Sequence, residues 1–150
     1  MRDRLADSIK DAMRARDQLR LSTLRLMSAA LKDHDIARRS QGDDGELAET
    51  EIWALFAKMV RQREESARAY EEGGRMDMAE RERAEQAVIR EFLPKPMSDA
   101  EIDAAVVQAI RQTGAQSIRD MGRVMGALKG AHAGRMDFGQ VGARVKAALG

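Results

Sequence analysis

An all-α fold is predicted by three features of the 150-residue chain. Prolines number two, aromatics make up 3% of residues, and alanine, leucine, methionine, arginine, glutamate and lysine dominate without runs of valine, isoleucine or threonine. The common residues are strong helix formers, and the types that build strands are scarce. Both prolines, Pro94 and Pro96, fall in FLPKPMS. Proline lacks the amide donor and disfavours helix in the residue before it, so this segment marks a boundary. The expected architecture is an N-terminal helical bundle of about four helices, residues 1–93, and a small three-helix C-terminal domain, residues 97–150.

Each element follows from apolar spacing and its stop signals. Leu5, Ile9, Ala12 and Met13 stripe a first helix. Leu21, Leu24, Met27 and Leu31 stripe a second, which continues toward Arg38 and ends in the loop SQGDDGE. A third runs from about Ala48 to Glu72 on Ile52, Leu55, Phe56, Met59, Ser66 and Tyr70, stopped by Gly73 and Gly74. The fourth is expected to open at Asp77, with Glu80 as capping partner, and to bury Ala84, Ala87, Val88 and, at its end, Glu91. Beyond the prolines, Ser98 and Glu101 form a capping box for a helix on Ile102, Val106, Ala109 and Ile110, which ends near Gly114. Ser117 is read as the cap of the next helix, and Asp137 with Gln140 as the cap of the last, on Val141, Val145 and Leu149.

Composition excludes several function classes. Without cysteine there are no disulfides or thiolate metal sites, and His34 and His132 lack spacing partners, so neither a metal nor a cofactor is expected. No run approaches the ~18 apolar residues of a membrane span, and Asp3, Asp7 and Asp11 make the first residues unlike an acidic-poor transit peptide. The cytoplasm is the expected location, with no membrane partner. The formal charge is +1 overall, yet residues 111–150 hold seven basic side chains against two acidic ones, which points a polyanion toward that end.

The segment GRVMGALKGAHAGRMDFGQV spaces Gly122, Gly126, Gly130 and Gly134 four apart. Each glycine inside a helix costs roughly 1 kcal/mol relative to alanine. On a helical wheel Gly122, Gly126 and Gly130 lie at about 0°, 40° and 80°, while Ile118, Met121, Val124, Met125 and Leu128 cluster near 250°. Arg119, Arg123 and Lys129 interleave with the glycines. A bare backbone strip bordered by cations admits two visitors. One is a closely packed helix, as small-xxx-small faces permit; the other is a phosphodiester backbone gripped by Arg119, Arg123 and Lys129. With only Phe138 as an aromatic in this tail, stacked single strands fit poorly, and a folded RNA read by shape and phosphates fits better.

In the first domain, Arg63 and Ser66 share the wheel face of Ile52, Met59 and Tyr70. Such an arginine is normally satisfied by a carboxylate on a neighbouring helix. The alternative is an anion pocket with Lys58 and Arg75 contributing. Glu80, Glu82 and Glu85 are read as a row displayed to solvent.

The tail DMGRVMGALKGAHAGRMDFGQVGARVKAAL, preceded by FLPKPMSDAEI, resembles the GatB/YqeY family, and LSTLRLMSAALKD and KMVRQREESARAYEEGGRMDMAERERAE resemble the first lobe of its free-standing members. The resemblance spans essentially the whole chain. It implies a helical bundle plus three-helix tail and a kinship with the glutamine-dependent carbon-nitrogen ligase that amidates misacylated tRNA, whose B subunit ends in this module. It also implies that Gly122, Gly126, Gly134, Arg135 and the surrounding cations face tRNA, with Gly130 extending the pattern. The amidase half of that enzyme needs a Ser-Ser-Lys arrangement, whereas the serines and lysines here are scattered on helices, and the phosphorylating domain is missing. No catalytic residues are therefore predicted. The expected role is a tRNA-associated accessory module with an amidotransferase or other translation-related protein as partner. A helical protein-interaction module is the competing expectation.

Overall fold

Helices alone build the chain, which the structure, a computed structural model, describes over residues 1–150. It divides into two units, Met1–Leu93 and Pro94–Gly150, so the two prolines fall with the second.

The first unit contains α1 (Arg2–Ala15), α2 (Gln18–Ser40), α3 (Glu49–Glu72) and α4 (Met76–Arg90). Asp17 caps α2 by accepting from the Arg20 backbone N–H at 3.1 Å. All four stripe residues of α2 are buried, as are Ile52, Phe56 and Met59 of α3. Leu47, which precedes α3, and Phe92, which follows α4, join the same core. α1 departs from its expected stripe: Met13 is 52% exposed, and only Leu5 and Ala12 are buried.

α3 and α4 form an antiparallel hairpin. Gly74 takes a left-handed φ of +75°, which glycine adopts without strain, and the Arg75 N–H donates to the Tyr70 carbonyl at 2.7 Å. The chain has therefore reversed by Arg75, and α4 starts at Met76 rather than at an Asp77 cap; no side chain caps it. Its buried face is Ala79, Gln86, Val88 and Ile89, while Ala87 and Glu91 are exposed. The expected phase was off because α4 faces both α3 and α2, which widens its buried arc beyond one stripe. Gln86 is buried without penalty because its amide donates to the Val60 carbonyl at 2.8 Å.

The second unit contains α5 (Asp99–Thr113), α6 (Met121–His132) and α7 (Phe138–Leu149) around Ala105, Val106, Ala109, Val124, Leu128, Met136, Val141 and Val145. The Ser98–Glu101 capping box forms with both bonds present, at 3.1 and 3.2 Å. Ser117 does not cap α6. It precedes a 3-10 turn, Ile118–Asp120, whose Asp120 carboxylate accepts from the Gln116 and Ser117 backbone N–H groups, and α6 begins only after that turn. Asp137 caps α7 through the Gly139 N–H at 3.0 Å rather than through a pairing with Gln140. The linker is strapped to this unit: the Met97 N–H donates to the Arg135 carbonyl, and Arg135 Nε donates to the Lys95 carbonyl, both at 3.0 Å.

Candidate functional site

α6 is short, and its three glycines all fall on one of its two faces. Val124 and Leu128 are fully buried against α5 and α7, and Met121 and Met125 flank them. Gly122, Gly126 and Gly130 lie on the other side, all exposed, and a Cβ built on any of them meets nothing within 4 Å. Packing within the unit therefore does not require glycine at these positions. The helix forgoes roughly 1 kcal/mol at each without an internal reason.

The fourth glycine belongs to different geometry. α6 stops at His132, and Gly134 occupies the following turn with φ +78°, where a side chain would be strained. Gly134 is thus explained by the turn, and the helical ladder has three rungs.

The basic residues separate into engaged and free. Arg123 lies beside the strip, but its guanidinium donates to the Thr113 carbonyl at 3.0 Å and to Asp120 Oδ1 at 2.6 Å, so it fastens α6 to the C-terminal end of α5. Arg135, beside the turn, is held by the Lys95 carbonyl and by Glu101 at 3.7 Å. Arg144 bridges Asp99 and Asp103 at 2.6 and 3.1 Å. Arg119 sits in the 3-10 turn, off the α6 wheel, and Lys129 sits on α6 next to Gly126 and Gly130; both are exposed and hold no ion pair or hydrogen bond. Of the eight residues singled out in the tail, one helix face therefore gathers Gly122, Gly126, Gly130 and Lys129, with Arg119 free at its N-terminal end. The excess of positive charge read from residues 111–150 is reduced by acids of α5 that lie outside that window.

Two carboxylates here are stabilised as anions. Asp120 is held below the usual carboxylate range by the Gln116 backbone N–H first, then by Arg123. Glu101 is held below its usual range by the Ser98 backbone N–H and hydroxyl, with Arg135 adding to it.

In the first unit Arg63 is satisfied by a carboxylate of the neighbouring helix, as its place on the core face predicts, and the alternative of an anion pocket is not assembled. Arg63 Nε lies 3.1 Å from Glu85 Oε2, both side chains are 13% exposed, and a second Arg63 nitrogen donates to the Met59 carbonyl at 3.3 Å. Ser66 is half-buried one turn on, while Lys58 and Arg75 are exposed. Lys58 alone stands about 21 Å along α3 from its last residue, too far to share a pocket with Arg75. Glu85 is consequently not part of a solvent row, and Glu82, half-buried beside it, is pushed up first by burial and then by the Glu85 carboxylate. The partner of Arg63 was not named from sequence because it depends on the register of the hairpin.

Comparison with known proteins gives one family match and a set of yeast relatives. Residues 2–149 match the family model described as Yqey-like protein. The curated protein named "Altered inheritance of mitochondria protein 41, mitochondrial" from Lachancea thermotolerans is 36% identical over 104 residues, which cover 68% of this chain and 54% of the relative. Its namesake from Kluyveromyces lactis is 31% identical over 109 residues, covering 71% and 56%. The Saccharomyces cerevisiae protein is 25% identical over 99 residues, covering 66% and 51%. The chain thus spans about half the length of the curated relatives it matches.

Proposed function

The chain belongs to the YqeY-like protein family, and from that premise we propose that it is an accessory module whose second unit docks against the backbone of a folded RNA of the tRNA class. The observation that carries this reading is the solvent-open face of Gly122, Gly126 and Gly130, whose cost inside the helix no contact within the unit offsets. A backbone without side chains lets a phosphodiester chain approach the helix closely, and Arg119 and Lys129 are free to meet phosphates there. Shape and charge, not base edges, are what such a strip reads. The kinship of the family with the tail of the amidotransferase B subunit supports the same reading. In it the chain assists a glutamine-dependent carbon-nitrogen ligase, or another translation protein, and carries no amidation chemistry itself.

A second reading has its own support. The attachment of Arg123 to Thr113 and Asp120 removes a cation from the rim and leaves a flatter, less charged strip, which suits a partner helix. For the compartment, the relatives' printed names place those proteins in mitochondria; an RNA-docking role fits any compartment where translation proceeds, cytoplasm and mitochondrial matrix alike.

Filter binding of folded tRNA to the full chain at two salt concentrations separates the readings. RNA docking predicts affinity on the order of micromolar that falls with salt by about two log units per log unit of salt, the slope for two or so displaced counterions. No binding at low salt would leave the helix-docking reading.

A further inference from the structure

A second unpartnered surface lies in the first unit, on the outer side of α2. Ser22, Leu26, Ala29, Asp33 and Ile36 follow one another at alternating spacings of four and three, the spacing of a coiled-coil seam. All five are exposed, and the two large apolar members are the outliers, Leu26 at 50% and Ile36 at 62%. The inward stripe of α2 is complete without them. Beside Leu26 runs a groove of about 370 Å³ between α2 and α4, and it carries an arginine on each wall, Arg25 and Arg81. Arg25 holds no ion pair or hydrogen bond. Arg81 has only Glu85 at 3.7 Å, and that carboxylate is already closer to Arg63. Lys32, also free and exposed, continues the positive flank along α2.

We infer that this seam docks an acidic amphipathic helix of a partner protein, with apolar side chains set between Leu26 and Ile36 and carboxylates reaching Arg25, Lys32 and Arg81. Charge decides against a second copy of the same chain. An antiparallel pairing of two α2 helices sets like flanks together, Arg25 and Lys32 against their own copies, and a parallel pairing sets Asp33 against Asp33. A nucleic acid has no use for the exposed leucine and isoleucine of the seam.

Fluorescence anisotropy of the full chain with a synthetic helical peptide tests the inference. The peptide has leucine at the a and d positions of about three heptads and glutamate at e and g; a matched peptide has lysine at e and g. The expected result is saturable, salt-sensitive binding of the acidic peptide alone. Leu26→Ser and Arg25→Glu should each weaken it roughly tenfold, with melting temperature unchanged because both side chains are exposed. Absence of binding, equal binding of the two peptides, or displacement of the acidic peptide by folded tRNA overturns the inference. So does a concentration-dependent dimer that Leu26→Ser abolishes, which would make the occupant a second copy.

Discussion

Arg63 on α3 and Glu85 on α4 meet at 3.1 Å with both side chains 13% exposed, so an arginine placed on the core face of its helix is neutralised inside the hairpin rather than offered to a ligand. One turn away the buried Gln86 amide donates to the Val60 carbonyl. Together these two contacts fix which residues of α4 lie against which residues of α3, because a shift along either helix would strand a buried charge and a buried amide.

Removing one member of the pair should therefore cost more than removing both. Glu85→Ala leaves the guanidinium largely buried with one backbone acceptor and should destabilise the chain by about 1–3 kcal/mol. Glu85→Leu combined with Arg63→Met should recover most of that loss. Urea unfolding of the three proteins checks it, and a double variant less stable than Glu85→Ala would contradict the account of the pair.

Arg123 is predicted to matter for structure more than for RNA. Its pair with Asp120 is exposed, so Arg123→Ala should cost no more than about 1 kcal/mol, most of it from the lost bond to the Thr113 carbonyl. Arg119→Ala and Lys129→Ala should leave melting unchanged and each lower the salt slope of RNA binding by about one unit. A slope change confined to Arg123→Ala would show that the contact with Thr113 opens on binding.

Acid should weaken the second unit in a defined window. Asp120 and Glu101 both have folded values below the usual carboxylate range. Their stabilisation is complete above about pH 5, clear of the unfolded values, and is lost as pH falls through the depressed ones. Asp120→Asn and Glu101→Gln should flatten this acid limb. Glu82 has the opposite sign: burial and Glu85 raise its folded value, so acidification through it adds stability to the first unit, and Glu82→Gln should abolish that gain. Melting temperatures between about pH 3 and pH 7 report all three.

The second unit has its own apolar cluster and a linker strapped to it by Arg135, so a fragment of residues 94–150 should be helical and melt cooperatively, though with marginal stability at that size. Circular dichroism decides; a random-coil spectrum would mean that this core does not close by itself.

Local signals in the sequence predicted what local physics determines. The stripe of α2 and the capping box at Ser98 depend on residues within a turn or two of one another, and both appear in the structure as read. The start of α4 was missed because the Asp77–Glu80 pattern mimics a capping box, while Gly74 has already reversed the chain two residues earlier. The wheel angle of Arg119 failed for a similar reason, since a 3-10 turn separates it from α6. Partners across helices, such as Glu85 for Arg63 and Thr113 for Arg123, have no local signature at all. The bare face of α6 was legible because it is periodic, but that Arg123 is tied away from it was not.

The most direct test of the central claim is Gly126→Leu, with melting temperature and affinity for folded tRNA measured on the same protein. A Cβ at Gly126 meets nothing within 4 Å, and leucine is the better helix former, so melting temperature should hold or rise by the equivalent of up to about 1 kcal/mol. RNA binding should fall at the same time, because the side chain holds the phosphate backbone away from the strip. A large drop in melting temperature with RNA affinity unchanged would contradict the RNA-facing reading and return the strip to helix packing.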